Sequence, residues 1–440
     1  MSLLDLGRLA QALAETEPLP VEGKVRRATG LLIEASLPRV AVGTACEIRT
    51  EGRTVAAEVV GFAGGTALLM PLGAMQGICE GCAVVPRSRA ADLPVGDGLL
   101  GRVVDAAMRP LDGGPVPLLR ARVPIHAAPP AAMERRRIAA PLPTGVRAID
   151  GLLTLGEGQR MGILAGAGVG KSVLLGMLAR SSAADVIVVG LVGERGREVR
   201  EFVERDLGAE GLARAVVVVA TSDEAPLVRV RAAMSATAVA EHFRSRGRKV
   251  LLLLDSLTRV AMAQREIGLA AGEPPTTKGY PPSVFALLPA ILERAGNDRG
   301  TGSITGLYTV LAEGDDLADP VVDAARSILD GHLALSRKLA GAGHFPAIDP
   351  LASVSRVMSD VVPAPHLAAA AAARRILANH AEAADLIDVG AYVAGSNAAV
   401  DRAIERIGPL RAFLRQAPDE ATPPAQALAQ LARVVEGDRA

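Results

Sequence analysis

The residues best suited to chemistry lie in one glycine-rich stretch, Ala165-Gly-Ala-Gly-Val-Gly-Lys171-Ser172, between the apolar run MGILA and the helix-like SVLLGMLARS. The glycines at 166, 168 and 170 permit positive φ and close approach, so backbone N–H groups can converge on phosphates at a helix N-terminus. Lys171 would place a charge between the β- and γ-phosphates, and the Ser172 hydroxyl can ligate Mg²⁺. The stretch predicts a nucleotide site formed by Gly166, Ala167, Gly168, Val169, Gly170, Lys171, Ser172 and Val173.

A second candidate, Asp255, follows the apolar run KVLLLL. A carboxylate at the tip of a buried strand must be hydrated, paired or bound to a metal. With a phosphate loop in the same sheet, we expect Asp255 to hold Mg²⁺ through water. The alternative is a helix N-cap ahead of SLTRVAMAQ.

A third candidate is Glu194, which with Arg195 begins the charged segment GERGRE after the run DVIVVGLV. Ligands of open α/β sheets bind at the carboxyl ends of the strands, where this segment would lie. A carboxylate there could polarise the attacking water, with Arg195 near the γ-phosphate. A surface cluster of salt bridges explains the same residues equally well.

These candidates need a sheet to position them, and five apolar runs supply it: MGILA, DVIVVGLV, AVVVVA, KVLLLL and SITGLYTVLA. Helix-length segments separate most of them, a pattern typical of parallel strands buried on both faces. We therefore expect an α/β P-loop NTPase core over residues 91–365, in which 91–160 is a connector rich in glycine and proline. Residues 366–440 are alanine-rich and predict a C-terminal helical domain.

The N-terminal part has a different sequence pattern. Short β segments punctuated by glycine and proline predict a small β-barrel over residues 21–90. Residues 1–20 predict an amphipathic helix, either a docking arm or a helix folded onto its own barrel. Cys79 and Cys82 form an isolated C-x-x-C pair, for which zinc binding, redox chemistry and simple burial all remain open, with burial favoured.

Composition excludes several classes of protein. The 440 residues carry 48 basic and 48 acidic side chains, so the net charge is zero, which disfavours general binding to nucleic acid. No run approaches 18 apolar residues, and the N-terminus lacks the pattern of a signal peptide, so we expect a cytoplasmic protein.

Several stretches together resemble the ATPases of flagellar and virulence type III protein export, relatives of the catalytic subunit of rotary ATP synthases. The matching stretches are GEGQRMGILAGAGVGKS, VGLVGERGREVREF, TSDEAPLVR, LLLLDSLTRVAMAQREIGLAAGEPPTTKGYPPSVFALLPAILERAG, GSITGLYTVLAEGDDLADP, ILDGHLALSRKLAGAGHFPAIDPLASVSRVM and GAYVAGS. They run from about residue 91 to 400. The resemblance implies a RecA-like core that uses ATP and Mg²⁺.

The resemblance also implies roles for single residues. Glu194 matches the catalytic carboxylate, and Arg356, in SVSR, matches an arginine that reaches into the nucleotide site of a neighbouring subunit. Phe345 falls where the family packs an aromatic ring against adenine, although a core phenylalanine would look the same, and Arg259 falls near the catalytic glutamate. The predicted catalytic residues are Lys171, Glu194, Arg195, Asp255, Arg259 and Arg356, and the predicted metal ligands are Ser172 and Asp255.

The family further implies a homo-hexameric ring at the inner face of the cytoplasmic membrane. Its expected partners are a stator-like regulator on the N-terminal arm, a coiled-coil central stalk in the pore, the membrane export gate, and complexes of chaperones with export substrates. The segment GAYVAGSNAAVDRAI favours flagellar export over an injectisome. Competing hypotheses are an RNA-translocating hexamer of the Rho type, a ring subunit that binds nucleotide without hydrolysis, and the catalytic subunit of an ATP synthase.

Overall fold

The computed structural model describes residues 22–87, 92–311 and 319–436. The predicted docking arm, residues 1–20, lies outside the described residues. The barrel belongs to one compact unit, and a second compact unit takes in Leu93–Glu266 and Pro274–Ala440.

The first unit contains a closed six-stranded barrel in the order β1-β2-β5-β4-β3-β6, with antiparallel neighbours. Buried and exposed residues alternate along much of β1 to β4, so side chains such as Ile33, Ile48 and Val55 fill the interior. The predicted small β-barrel is confirmed. Its strands are β1 (Gly23–Thr29), β2 (Leu32–Ser36), β3 (Ala45–Thr50), β4 (Arg53–Ala63), β5 (Thr66–Pro71) and β6 (Ala83–Pro86).

The second unit is built on a nine-stranded sheet with the order β17-β16-β10-β15-β13-β11-β12-β8, and β14 pairs with β15. All pairs are parallel except β16–β17 and β14–β15. Its strands are β8 (Arg102–Asp105), β10 (Arg160–Ala165), β11 (Val186–Glu194), β12 (Ala215–Thr221), β13 (Lys249–Asp255), β14 (Gly296–Asn297), β15 (Ser303–Leu311), β16 (Gly331–Leu335) and β17 (Ile348–Ser355). Two further short strands, β7 (Asp92–Val95) and β9 (Ala121–Pro124), pair with each other.

The five apolar runs of the sequence are the central strands β10, β11, β12, β13 and β15, and these strands are almost entirely buried. The predicted mostly parallel sheet is therefore confirmed. Residues 91–160, expected to form a connector with a few short elements, also supply a strand of the main sheet, because β8 pairs with β12. The four residues of this edge strand carry too little pattern to reveal it without its partner.

Helices cover both sides of the sheet and continue into a C-terminal helical domain, which is also confirmed. They are α1 (Arg147–Leu152), α2 (Lys171–Ser181), α3 (Gly196–Glu201), α4 (Gly208–Ala213), α5 (Pro226–Ser245), α6 (Leu257–Ala270), α7 (Pro282–Leu292), α8 (Pro320–Ile328), α9 (Arg337–Gly341), α10 (Met358–Val361), α11 (Ala364–Asp388), α12 (Ala398–Leu414) and α13 (Pro424–Glu436). A π-helical turn, Phe202–Leu207, joins α3 to α4, and three 3₁₀ turns lie at Asp97–Leu99, Ala132–Glu134 and Thr277–Gly279.

A buried arginine joins the helical domain to the core. Arg147, at the start of α1, donates from Nε to the Phe413 carbonyl at 2.7 Å and contacts Glu420 and the Arg415 carbonyl with its terminal nitrogens. These partners satisfy a charge that would be costly to bury alone. No helix in the described ranges combines the length and apolar character that a membrane crossing requires.

Candidate functional site

The phosphate loop connects β10 to α2, and its backbone has the conformation that its glycines permit. Gly168 and Gly170 have φ of 77° and 86°, and Gly170 is the residue before the first helical residue, Lys171. Gly166, by contrast, is buried and leaves β10 without a positive φ. The left-handed turns are needed one step later, where the chain reverses to bring N–H groups to the helix start.

Lys171, Glu194 and Asp255 converge at the carboxyl edge of the sheet, although 84 residues separate the first from the last. Lys171 Nζ lies 2.5 Å from Asp255 Oδ1 and 3.3 Å from Glu194 Oε1. β10, β11 and β13 are parallel members of one sheet, so the ends of all three strands meet at the same edge. The three side chains are 5–14% exposed, so the charges interact in a poorly hydrated setting.

Burial and mutual charge compete in this triad. Burial opposes the charged form of Lys171, but the carboxylates of Asp255 and Glu194 outweigh it and raise the lysine pKa. Burial also raises the pKa of Glu194, with Glu198 adding to the effect and Lys171 opposing it. A carboxylate tuned upward and held at a strand end is suited to accept a proton or polarise water.

The backbone before Glu194 is shaped to receive Arg259. Gly193 has φ of 72°, and a Cβ placed on it would lie 2.8 Å from the Cβ of Arg259. Arg259 Nε is buried and has no hydrogen-bond partner among the described residues. The site therefore brings Arg259 beside the strand end that carries Glu194, in agreement with the sequence expectation.

Arg195 is oriented differently. Its side chain is 79% exposed and pairs with Glu198 at 3.7 Å, within a charged helix that also holds the Arg197–Glu201 and Arg200–Glu204 pairs. The structure thus separates the two residues that the sequence joined, since Glu194 enters the triad while Arg195 belongs to a surface cluster.

The oxygen atoms near the loop fit a magnesium ion. Asp255 provides a carboxylate, held by a 2.7 Å hydrogen bond from the Thr309 hydroxyl, and the exposed Ser172 offers its own hydroxyl one residue after Lys171. No cluster of three or more His, Cys, Asp or Glu side chains in residues 22–87, 92–311 and 319–436 could hold a metal. This set suits Mg²⁺, which commonly takes one or two protein ligands and completes its shell with phosphates and water.

Phe345 lies against the phosphate loop. A Cβ on Gly170 would be 3.3 Å from the Phe345 ring, and the ring residue is 43% exposed. Its carbonyl accepts a hydrogen bond from the Gln416 N–H at 2.9 Å. The alternative of a plain core phenylalanine is inconsistent with this exposure.

Gln416 ties this contact to the rest of the chain. Its side chain accepts from Arg147 N–H at 2.8 Å and donates to the carbonyls of Gly145 and Glu420 at 2.7 and 2.8 Å. Sequence reasoning missed both Gln416 and Thr309. Thr309 left one signal, a hydroxyl within an apolar strand next to the strand of Asp255, whereas Gln416 left none.

Arg356 lies far from the phosphate loop of its own chain. The backbone N–H of Arg356 donates to the Asp330 carbonyl at 3.0 Å, so Arg356 lies level with the start of β16. The phosphate loop follows the opposite, carboxyl end of β10, the parallel neighbour of β16. At about 3.3 Å per residue, the five residues of β16 separate these levels by roughly 17 Å. Arg356 is exposed and follows β17, the outer strand of the sheet. Its guanidinium makes no ion pair with any residue in the described ranges.

Two cavities adjoin the loop. One of about 240 Å³ borders its beginning, Leu164–Gly166, and is also lined by Arg337 and Lys338 of α9. The other, of about 440 Å³, is lined by Val173, Arg180, Arg205, Asp206, Pro418 and Asp419. Arg180 donates to the Pro418 carbonyl at 2.7 Å, so this second cavity lies between α2 and the helical domain.

Three family models match the chain in order. The beta-barrel domain of the ATP synthase alpha/beta family matches residues 25–87, the nucleotide-binding domain of that family matches 145–355, and the C-terminal domain of the type III secretion ATPase EscN matches 362–433.

Curated relatives agree over nearly the whole chain. A flagellum-specific ATP synthase of Pseudomonas aeruginosa is 52% identical over 98% of both chains, and a type 3 secretion system ATPase of Xanthomonas euvesicatoria is 54% identical over 90% of both. Among solved structures, the assembled ATPase EscN of enteropathogenic E. coli superposes with a TM-score of 0.90 at 43% identity, covering 94% of this chain and all of EscN. EscN in complex with its central stalk EscO gives a TM-score of 0.87. The chain therefore belongs to the ATP synthase alpha/beta family and, within it, is an ATPase of the flagellar and type III secretion group.

Proposed function

We propose that this ATPase drives flagellar type III protein export by hydrolysing ATP·Mg²⁺ at the edge of the sheet where Lys171, Glu194 and Asp255 meet. That convergence is the observation on which the proposal rests, because it joins a phosphate-binding cation, a proton acceptor and a metal ligand. The loop residues 166–173 bind the phosphates, and Phe345 packs against the base.

Lys171 exchanges partners when ATP binds. Two carboxylates neutralise its charge in the structure, and the phosphates of ATP would take over that role. Ser172, and Asp255 through water, would hold Mg²⁺, which would supply neutralisation of the phosphate charge. Glu194, released from Lys171, orients and polarises the attacking water, and the upward shift of its pKa favours proton acceptance. Arg259 packs beside the strand end and positions Glu194 there.

The arginine that completes the site comes from a neighbouring copy. Arg356 is exposed at the outer strand, roughly 17 Å from the level of its own phosphate loop, so it serves a second protomer. Such a finger contributes about 10³–10⁵ in rate by neutralising charge on the γ-phosphoryl oxygens. Arg195, predicted near the γ-phosphate, is exposed and pairs with Glu198, so we propose no direct role for it in the site. The likeness to assembled EscN supports a homo-hexameric ring.

The partners follow from the same family. EscN binds a central stalk, EscO, and we propose an equivalent coiled-coil stalk in the pore of this ring. A stator-like regulator would dock on residues 1–20, and the ring would act in the cytoplasm, at the inner face of the membrane, where it delivers substrates from chaperones to the export gate. We propose no nucleic-acid partner, because the chain has no net positive charge.

Flagellar export is favoured over its alternative, an injectisome, by the segment GAYVAGSNAAVDRAI. Restoration of swimming in a strain that lacks its flagellar ATPase tests this choice. Failure there, together with restored effector secretion in an injectisome ATPase deletion, would favour the alternative.

Activity measured against protein concentration tests the shared site. Specific ATPase activity should rise steeply as protomers associate, and both Lys171→Ala and Arg356→Ala should abolish it. Concentration-independent activity, or full activity of Arg356→Ala, would contradict a site built from two copies.

A further inference from the structure

Two thiols meet on the surface of the barrel, in the segment between β5 and β6. Cys79 Sγ and Cys82 Sγ are 2.7 Å apart, and both residues are free cysteines. Cys79 is exposed, whereas Cys82 is only 7% exposed and packs in the barrel core. The interpretation of the pair as two buried small side chains is therefore wrong for Cys79.

The backbone holds the two sulfurs together. The Cys82 N–H donates to the Cys79 carbonyl at 3.2 Å, which forms a tight turn, and the Cys79 N–H donates to Cys82 Sγ at 3.2 Å. A disulfide bond needs sulfurs about 2.05 Å apart, so closure requires only a small movement within this turn. A zinc site is disfavoured, because no third ligand of the His, Cys, Asp or Glu type accompanies the pair in the described ranges.

The turn also closes the barrel. β1 pairs with β6 only at Gly23–Val84 and Lys24–Ala83, a shorter register than that of β1 with β2. Two backbone hydrogen bonds extend this seam, from Val25 N–H to the Cys82 carbonyl and from Gly81 N–H to the Val25 carbonyl, both 2.9 Å. Both bonds use the C-x-x-C turn, so the geometry of that turn controls how the first strand is held.

We propose that Cys79 and Cys82 are a reversible dithiol–disulfide pair that fixes the seam between β1 and β6 when it is oxidised by a low-molecular-weight disulfide. The exposed Cys79 attacks the oxidant to form a mixed disulfide and releases one small thiol. Cys82 then attacks Cys79 Sγ and releases the second thiol. The protein loses two electrons and two protons, and the oxidant becomes two thiols.

The order of attack follows from exposure. The hydrogen bond with Cys82 raises the pKa of Cys79, so the first step should accelerate with rising pH as the thiolate forms. Cys46, the remaining cysteine, is an internal control: burial and then Glu58 raise its pKa to about 11, and it should not react.

The test uses the full-length protein treated with oxidised glutathione, with mass spectrometry of the intact chain and of its peptides. We expect loss of two hydrogens in the Cys79–Cys82 peptide and full reversal by dithiothreitol. Cys82→Ser should instead retain one glutathionyl group on Cys79, and Cys79→Ser should retain none. A wild-type protein that stops at a stable glutathione adduct, or that does not react, would overturn the proposal.

Hydrogen exchange tests the effect on the seam. Oxidation should slow exchange of the Val25 and Gly81 amides by on the order of tenfold, because covalent closure restrains the turn that binds them. The Val55 amide, which pairs within β3–β4, should be unchanged. A disulfide that leaves Val25 and Gly81 unaffected would refute the locking effect. Neither readout depends on ATP hydrolysis, so the ATPase proposal stands or falls separately.

Discussion

Replacing Glu194 with glutamine separates hydrolysis from binding at the proposed site. The amide keeps the size of the side chain, and its oxygen can still accept from Lys171, which lies 3.3 Å from Glu194 Oε1. The change removes only the charge that would accept a proton from water. Loss of general-base assistance lowers a rate by about 10²–10⁴, which corresponds to roughly 3–5 kcal/mol of activation free energy.

Nucleotide binding should survive this change. Glu194 is 14% exposed and carries negative charge beside the lysine that must bind phosphates, so its neutralisation removes both a competitor and a repulsion. We expect Glu194→Gln to bind a fluorescent ATP analogue at least as tightly as the wild type. Single-turnover phosphate release measures the chemical step, and analogue titration measures binding.

Glu201→Gln provides the matched control, because Glu201 lies on the adjacent helix α3, is 52% exposed and pairs only weakly with Arg197 at 3.6 Å. Its phosphate release should stay close to that of the wild type. If Glu194→Gln retained more than about a tenth of the wild-type rate, a loss of under 1.4 kcal/mol, the role of Glu194 would be refuted.

Three other measurements probe the surroundings of the site. Thr309→Val removes the 2.7 Å hydrogen bond to Asp255, which should cost about 1 kcal/mol of stability. It should also raise the Mg²⁺ concentration that gives half-maximal activity. An unchanged Mg²⁺ titration would contradict the role of Thr309 in holding Asp255. Gln416→Leu leaves buried backbone groups unpaired at about 1–3 kcal/mol each, so it should lower the melting temperature. Because it should also loosen Phe345, it should raise KM for ATP more than it lowers kcat. A variant with unchanged KM would refute the link between Gln416 and Phe345. The folded-state pKa of Glu194 lies above 4.5, so the contribution of Glu194 to the free energy of unfolding is present below pH 4.5 and is lost as pH rises through the folded-state pKa. Chemical denaturation across that pH range should show a fall in the stability of the wild type relative to Glu194→Gln. Parallel stability curves for the two proteins would contradict this.

The sequence predicted those features of the fold that depend on local pattern. Continuous apolar runs identified the five central strands because a strand buried on both faces needs no polar side. The glycine-rich loop was equally clear, since phosphate binding demands particular residues at fixed spacing. The pairing of edge strand β8 and the difference in φ between Gly166 and the later loop glycines could not be predicted, because neighbours in space decide both.

The polar contacts around the site were beyond sequence reasoning for a related reason. Arg147 and Gln416 are 269 residues apart, and a single glutamine gives no periodic signal that it will be 5% exposed and hydrogen-bonded on all sides. Thr309 meets Asp255 only because β13 and β15 are neighbours in the sheet. Arg356 illustrates the converse, since its motif suggested a role but only the strand order revealed its distance from its own phosphate loop.

Mixing two inactive variants tests the shared site most directly. Lys171→Ala keeps its arginine but has no functional phosphate loop, and Arg356→Ala keeps its loop but has no arginine to offer. Combined below the association concentration and then concentrated, they should recover ATPase activity at up to about a quarter of the sites, those where an intact loop faces an intact arginine. Each variant concentrated alone should stay inactive. A mixture as inactive as its components, with ring formation confirmed by light scattering, would contradict catalysis at a boundary between two protomers.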